Sequence, residues 1–136
     1  MKYDVLDVSL GKPSNILVKF KLLKRGNDCG IMIHCSGDYG LGSDGNDNGN
    51  YIASMTAAAL HRWRVRFLVY DFSEMKYDMS DSLAGISDVV KKLRSPNYTV
   101  YIVTSDLCQK GITSLVDYAK SIFNPIIISS IDEIKW

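Results

Sequence analysis

The stretch from Arg64 to Leu83, RVRFLVYDFSEMKYDMSDSL, most narrows what this chain can fold into. Val65, Phe67, Leu68, Val69 and Tyr70 run with almost no polar alternation. A strand of that kind must be covered on both faces, which is the position of a central parallel strand. The pattern predicts a strand from Val65 to Asp71, a short polar loop, and a helix opening at Ser80 or Asp81. Leu83, Ile86, Val90 and Leu93 form the apolar face of that helix, which ends near Arg94 before Ser95-Pro96-Asn97. In open α/β sheets, ligands and partners are met at the carboxyl ends of such strands, so the loop after Asp71 is where function is first sought.

Two segments at the amino end alternate with a period of two. Leu6, Val8 and Leu10 share one face, and Ile16, Val18, Phe20 and Leu22 share one face of the next strand, with Lys19 and Lys21 opposite. The turn formers from Gly11 to Asn15 between them predict an antiparallel hairpin. Arg25-Gly26-Asn27-Asp28 is a further turn before a strand over Gly30 to Cys35. Ser36 to Asn50 holds five glycines and three aspartates and is expected to be a long exposed loop. Asn50 then caps a helix from Tyr51 to Trp63 with Ile52, Met55, Ala59 and Trp63 on one stripe. A strand over Tyr98 to Thr104, a helix marked by Ile112, Leu115 and Ala119, and a strand after Pro125 complete the order. Ser130 and Asp132 offer a cap for a last helical turn. The expected fold class is α/β: a mixed β-sheet with an N-terminal antiparallel hairpin and βαβ crossovers.

At 136 residues, with 46% hydrophobic and 23% charged, the composition suits a single domain over residues 1–136. A net charge of +1 carries no overall instruction toward nucleic acid or a membrane surface, so neither is expected as a partner. The residues after Met1 lead into strand alternation without a signal-peptide pattern, and no segment approaches a membrane span, so a cytoplasmic location is expected. Cys29, Cys35 and Cys108 are odd in number and lack CxxC spacing. They read as small buried hydrophobes in a reducing compartment rather than a disulfide framework.

His34, Asp38, Asp71, Asp78 and Asp106 are the ionisable residues that the pattern places near strand ends. Acid–base catalysis needs two such groups held in one pocket, which spacing alone does not supply. Cys35 and His34 point to opposite faces of a strand and cannot pair as nucleophile and base. Asp38, Asp44 and Asp47 do not follow the ligand spacing of a calcium loop. The Gly-rich loop has no Lys or Arg to receive a phosphate. Arg62, Arg64 and Arg66 flank Trp63, a combination that can stack on single-stranded nucleic acid but is simpler as guanidinium groups lying over a core aromatic. No metal, cofactor or catalytic set is predicted.

Charge distribution points elsewhere. From Arg25 to Arg62 the chain has no intervening Lys or Arg while carrying Asp28, Asp38, Asp44 and Asp47. Asp71, Asp78 and Asp81 join them if the fold is as predicted, which makes an acidic rim suited to steering a basic partner. The residues expected to touch a protein partner are Asp38, Tyr39, Asp44, Asp47, Asp78, Ser80, Asp81 and Ser82.

From Ile31 onward the element order resembles the STAS domain of the anti-sigma-factor antagonists. The best local match is Val69-Tyr70-Asp71-Phe72 followed by Met75, Tyr77 and Asp78-Met79-Ser80-Asp81-Ser82-Leu83. It is joined by the closing segment from Ile126 to Ile134, with Ser129-Ser130-Ile131-Asp132-Glu133. In that family a strand leads through a loop into an Asp-Ser-Ser-Gly-Leu segment at a helix start. An ungapped reading sets Met79 at the Asp, Ser80 at the first Ser, Asp81 at the phosphorylatable Ser and Ser82 at the Gly. The regulated hydroxyl is thus replaced by a carboxylate. The same core is similar to half of a crotonase-type hydratase, with Gly37, Gly40 and Gly42 as one oxyanion turn, although a second turn is not defined and the chain is short for that enzyme.

The expectation drawn from all this is a non-enzymatic bacterial protein-binding module. It would restrain a partner in the manner of an immunity or antitoxin protein against a basic, nuclease-type toxin. A divergent anti-sigma-factor antagonist-type regulator is the alternative, and a small crotonase-like enzyme ranks behind both.

Overall fold

The computed structural model describes residues 4–7, 14–121 and 123–136. Among the described residues five strands form one sheet in the order β1-β2-β3-β4-β5. β1 (Leu17–Arg25) and β2 (Asp28–Asp38) are antiparallel. β2, β3 (Phe67–Lys76), β4 (Thr99–Val103) and β5 (Ile126–Ile128) run parallel. The crossovers carry α1 (Asn46–Arg62), α2 (Gly85–Leu93) and α3 (Gln109–Ala119). The mixed sheet and the βαβ crossovers are those expected from the pattern of the chain.

The hairpin is built from other residues than the first alternation suggests. β1 pairs with β2 across Gly26-Asn27, with Arg25 opposite Asp28. Gly26 has a φ of 61° at the first central position, which glycine adopts without steric cost and which suits the twist of a two-residue hairpin. Leu6 lies exposed and outside any strand, while Val8, Leu10 and most of the expected linker fall outside the described residues.

β3 is the central strand, with Leu68, Val69 and Tyr70 sealed from solvent on both faces. It starts two residues later than Val65 and continues through Asp71 to Lys76, because β2 also continues and supplies backbone partners as far as Asp38. An irregularity between His34 and Ser36 lets β2 keep step with β3 past Asp71.

The two faces of the sheet are covered differently. Ile31, Ile33, Cys35, Leu68, Tyr70, Val100 and Ile102 pack with Ile52, Ala59 and Leu60 of α1, Ile86 and Val90 of α2, and Ile112 and Leu115 of α3. On the opposite face Met32, Phe67, Val69, Tyr101, Val103 and Ile128 meet Ile134 and Trp136 of the carboxyl-terminal segment. The Trp136 ring stands edge-on to Phe67 at 5.0 Å. Ser130 caps the short turn Ile131–Glu133 in a reciprocal capping box with Glu133, which holds that segment. Leu83, Ile86 and Val90 are buried as expected, whereas Leu93, at the last residue of α2, is 43% exposed.

Trp63 ends the α1 stripe against the main core, 5.6 Å from Phe20, with the Arg62 guanidinium 5.6 Å over its ring. Arg66 pairs with Asp28 at 3.1 Å. Arg62 and Arg66 therefore have intramolecular occupations.

Candidate partner-binding surface

β2 and β3 leave the sheet side by side, with the Tyr39 amide donating to the Lys76 carbonyl at 3.0 Å. The two connections that follow stay together. Gly42 N–H donates to the Met79 carbonyl at 2.8 Å, Ser80 Oγ to the Gly42 carbonyl at 2.8 Å, and Ser82 Oγ to the Gly45 carbonyl at 3.2 Å. Beneath them the Tyr39 and Tyr77 rings meet edge to face at 5.0 Å. Tyr39 Oη and Ser82 Oγ share a hydrogen bond at 2.6 Å, the Ser80 and Ser82 oxygens lie 3.0 Å apart, and Tyr77 Oη donates to the Ser80 carbonyl at 2.5 Å. Burial pushes both phenols up to about 12, against the lowering effect of these hydrogen bonds, so they stay neutral donors at physiological pH.

The expected long loop is accordingly a folded structure. β2 runs to Asp38, a 3-10 turn covers Gly42–Gly45, and α1 begins at Asn46 instead of Tyr51. Glycine makes this packing possible: a Cβ on Gly49 would sit 2.9 Å from the Ser82 carbonyl oxygen and against both hydroxyls. Asn48, buried in α1, donates to the Tyr39 carbonyl at 2.9 Å, and its Oδ1 accepts from Ser14 Oγ and the Asn15 amide. A polar, Gly-rich composition suggests a loop because it cannot bury much apolar area, but here its backbone is satisfied by a second segment distant in sequence.

The eight residues expected at a partner interface divide in two. Asp38, Asp44, Asp47, Asp78 and Asp81 are exposed. Tyr39 and Ser80 are buried, and the Ser82 hydroxyl is turned inward, so these three hold the surface together and do not present it. The aspartates also have local duties: Asp38 Oδ1 accepts from the Gly40 amide at 3.0 Å, and Asp44 and Asp47 stand in the first turns of the 3-10 turn and α1, where the helix dipole favours an anion.

What the composition of single segments did not reveal is the apolar component. Leu41 is 60% exposed and Met79 71%, and both stand on the paired connections beside the aspartates; Leu107 and Tyr118 are exposed on the neighbouring β4–α3 connection and α3. A Tyr77 amide to Leu107 carbonyl bond of 3.2 Å ties that connection to the rest. Between residues 77–81 and α3 lies a cleft of about 460 Å³ whose walls include Asp78, Met79, Asp81, Lys110, Ser114 and Tyr118. Apolar side chains bordered by charge are the composition of a docking surface, and only the fold gathers them.

Of the residues considered for catalysis, His34 and Asp71 are brought together, on the sheet face away from the helices. His34 Nδ1 lies 3.0 Å from Asp71 Oδ2 and Nε2 lies 3.1 Å from Glu74 Oε2. Both bonds form at once only when the ring carries two N–H groups. Asp71 Oδ1 in turn accepts from Ser73 Oγ at 2.6 Å and from the Ser73 amide at 3.0 Å. His34 thus clamps β2 to β3, with Lys19 of β1 as its cross-strand neighbour. Asp38, Asp78 and Asp106 are exposed and stand apart from this pair. Among the described residues no group of three or more His, Cys, Asp or Glu is placed to hold a metal ion. Cys35 and Cys108 are buried and Cys29 is half-buried; all three are free thiols, with burial pushing that of Cys35 up to about 12.

Comparison with solved structures places this architecture. An anti-sigma factor antagonist from Mycobacterium paratuberculosis superposes with a TM-score of 0.57 at 13% identity, over 86% of this chain and 90% of that one. The chain has the STAS fold. The anti-sigma factor antagonist SpoIIAA in its unphosphorylated form matches at a TM-score of 0.49 and 12% identity, over 85% of this chain and 92% of the other. No family model matches the sequence, and no curated protein matches it significantly. In this STAS fold the helix-start segment, residues 78–82, follows the carboxyl end of the central strand, with Met79 exposed on it and Leu41 exposed beside it. Among the described residues no helix is long and apolar enough to cross a membrane.

Proposed function

We propose that this STAS-fold chain is a non-enzymatic regulator of the anti-sigma factor antagonist type, which binds a protein partner through the surface around Met79. The observation that carries this reading is the arrangement of residues 78–82. Asp78, Met79 and Asp81 project outward while the backbone beneath them is held by Ser80, Ser82, Tyr39 and Tyr77. An apolar side chain with charged neighbours on a backbone already held in place docks without the cost of ordering that backbone.

The same geometry bears on how such a regulator is controlled. The Ser80 hydroxyl is buried and donates to Gly42, and the Ser82 hydroxyl is shared between Tyr39 and Gly45. Neither is free to accept a phosphate without dismantling the surface, and Asp81 stands exposed where the family resemblance sets the phosphorylatable hydroxyl. A permanent carboxylate there makes binding independent of a kinase. The acidic rim by itself favours no nuclease toxin, and the fold supports the regulator reading over toxin neutralisation.

Candidate anti-sigma-type proteins from the same genome, purified and titrated against the wild-type chain and against Met79→Glu and Asp81→Lys, test this. Binding is expected with one of them, weakened about tenfold or more by Met79→Glu, the range of a central anchor residue. Neutralising Asp38, Asp44 and Asp47 together slows association and flattens its salt dependence. Unchanged affinity and rate in all these variants would show that the partner docks elsewhere.

A further inference from the structure

The net charge of +1 conceals a separation of charge along the strands. β2, β3, β4 and β5 run the same way, so the chain returns to one end of the sheet each time a crossover closes. All five arginines of the chain, Arg25, Arg62, Arg64, Arg66 and Arg94, lie at that end, within residues 24–28, 61–66 and 91–98. Lys24, Lys91 and Lys92 belong to the same stretches, and Lys120 follows α3. Asp28 is the one carboxylate these stretches contain, and Asp132 shares a cleft with Lys24 and Arg25. The opposite end, around Met79, carries the aspartates of the proposed docking surface.

The cations form one surface because the connections that bear them are tied together. The Arg66 amide donates to the Cys29 carbonyl at 2.9 Å, and its guanidinium pairs with Asp28 at 3.1 Å. Tyr98 Oη donates to the Val65 carbonyl at 2.5 Å, and Arg94 donates to the carbonyls of Leu60 and Trp63. Arg94 is thereby occupied, while Arg25, Arg62, Arg64 and Lys92 are exposed and the Arg66 side chain is 55% exposed. Arg62, Lys91 and Lys92 stand in the last turns of helices, where a cation offsets the helix dipole without any ligand. Arg25, Arg64 and Arg66 have no such reason, since they end a strand or lie between elements.

We propose that this end of the sheet is a sequence-independent docking surface for the phosphate backbone of double-stranded nucleic acid. Guanidinium groups match phosphate with paired N–H donors, and several held on connected loops meet several phosphates at once. Base stacking is not part of the arrangement: Trp63 and Tyr98 are half-buried and Phe123 is buried, so no exposed aromatic ring stands in these connections among the described residues. Leu93 is the one exposed large apolar side chain in the same stretches, too little for insertion into a lipid surface. The acidic end turns away from a polyanion, which orients the molecule on approach and leaves the Met79 surface open.

Titration of the whole chain against a fluorescent duplex of about 20 base pairs, followed by anisotropy, tests the surface. With about four phosphates neutralised, affinity falls about a hundredfold between about 50 and about 200 mM salt. Two duplexes of unrelated base sequence bind alike. Arg25→Gln together with Arg64→Gln weakens binding about tenfold at the lower salt and cuts the salt-induced loss to about tenfold. Neither side chain has an ion pair among the described residues, and an unchanged urea midpoint verifies the fold. Lys19→Gln together with Lys76→Gln removes equal charge away from this end and leaves duplex binding nearly unchanged. No duplex binding at the lower salt, or an equal loss in both double variants, would overturn the proposal. So would binding to phosphatidylserine vesicles without duplex binding, which would assign the surface to a membrane, or salt-sensitive self-association without it, which would assign the surface to the acidic end of a second copy.

Discussion

Tyr39 Oη and Ser82 Oγ stand 2.6 Å apart although 43 residues separate them, and this contact joins the two connections that form the proposed docking surface. Tyr39→Phe keeps the ring packing on Tyr77 and removes the bond. A loss of about 0.5–1.5 kcal/mol in urea-unfolding stability is expected. Faster amide hydrogen exchange over residues 79–83 should accompany it, and protection equal to wild type would show that the bond does not restrain this segment.

Leu68 sits in the middle of β3 with no exposed surface, between Ile31 of β2 and Val100 of β4 in the sheet register. Leu68→Ala leaves a cavity that neighbouring strands cannot close. The expected cost is about 2–5 kcal/mol by denaturant titration, against under about 0.5 kcal/mol for a surface position.

Gly111 brings α3 against the site-bearing connection, where a Cβ would lie 2.6 Å from the backbone carbonyl oxygens of both Tyr77 and Asp78. Backbone cannot move aside as a side chain can. Gly111→Ala should destabilise by about 1–3 kcal/mol despite the better helix propensity of alanine, and it should shift the Asp78 and Met79 amide resonances. A more stable variant would indicate that α3 and the connection are looser than this contact requires.

Acid sensitivity should centre on Asp71. Burial is the largest single influence on its carboxyl and raises its pKa, but the Ser73 hydroxyl and amide together with His34 outweigh it and hold the group below its ordinary value. A folded-state pKa below the unfolded one means a contribution fully present above about pH 4 and lost as pH falls through the folded value. Asp71→Asn should therefore lower stability at neutral pH and flatten the decline of stability below about pH 4, measured by urea midpoints across that range. An acid limb identical to wild type would assign the sensitivity to other carboxylates.

How much of this protein could be read along the chain depends on the distance over which each feature is encoded. The covered strand around Leu68, the helical stripe Leu83, Ile86 and Val90, and the capping residues near Ser130 are local patterns, and each forms where its pattern places it. Boundaries were less legible: β3 reaches Lys76 because β2 pairs with it that far, and α1 starts at Asn46 because Asn48 and Gly49 find partners on Tyr39 and Ser82. Of the candidate site, the aspartates were visible as a run without opposing charge. The exposed Leu41, Met79, Leu107 and Tyr118 were not, since an apolar residue carries no mark of which side it will face until its element is packed.

The sequence by itself determined an α/β sheet with a central parallel strand and three helical crossovers, because the periods of two and 3.6 and the continuous apolar run are intrinsic to short segments. Only the tertiary structure decided that a glycine- and aspartate-rich stretch folds onto the Ser80–Ser82 backbone, that both serine hydroxyls turn inward, and that His34 bridges Asp71 and Glu74. Each of these is a hydrogen-bond partnership between segments at least 37 residues apart, and such partners are chosen by the packed fold, not by neighbours in the chain.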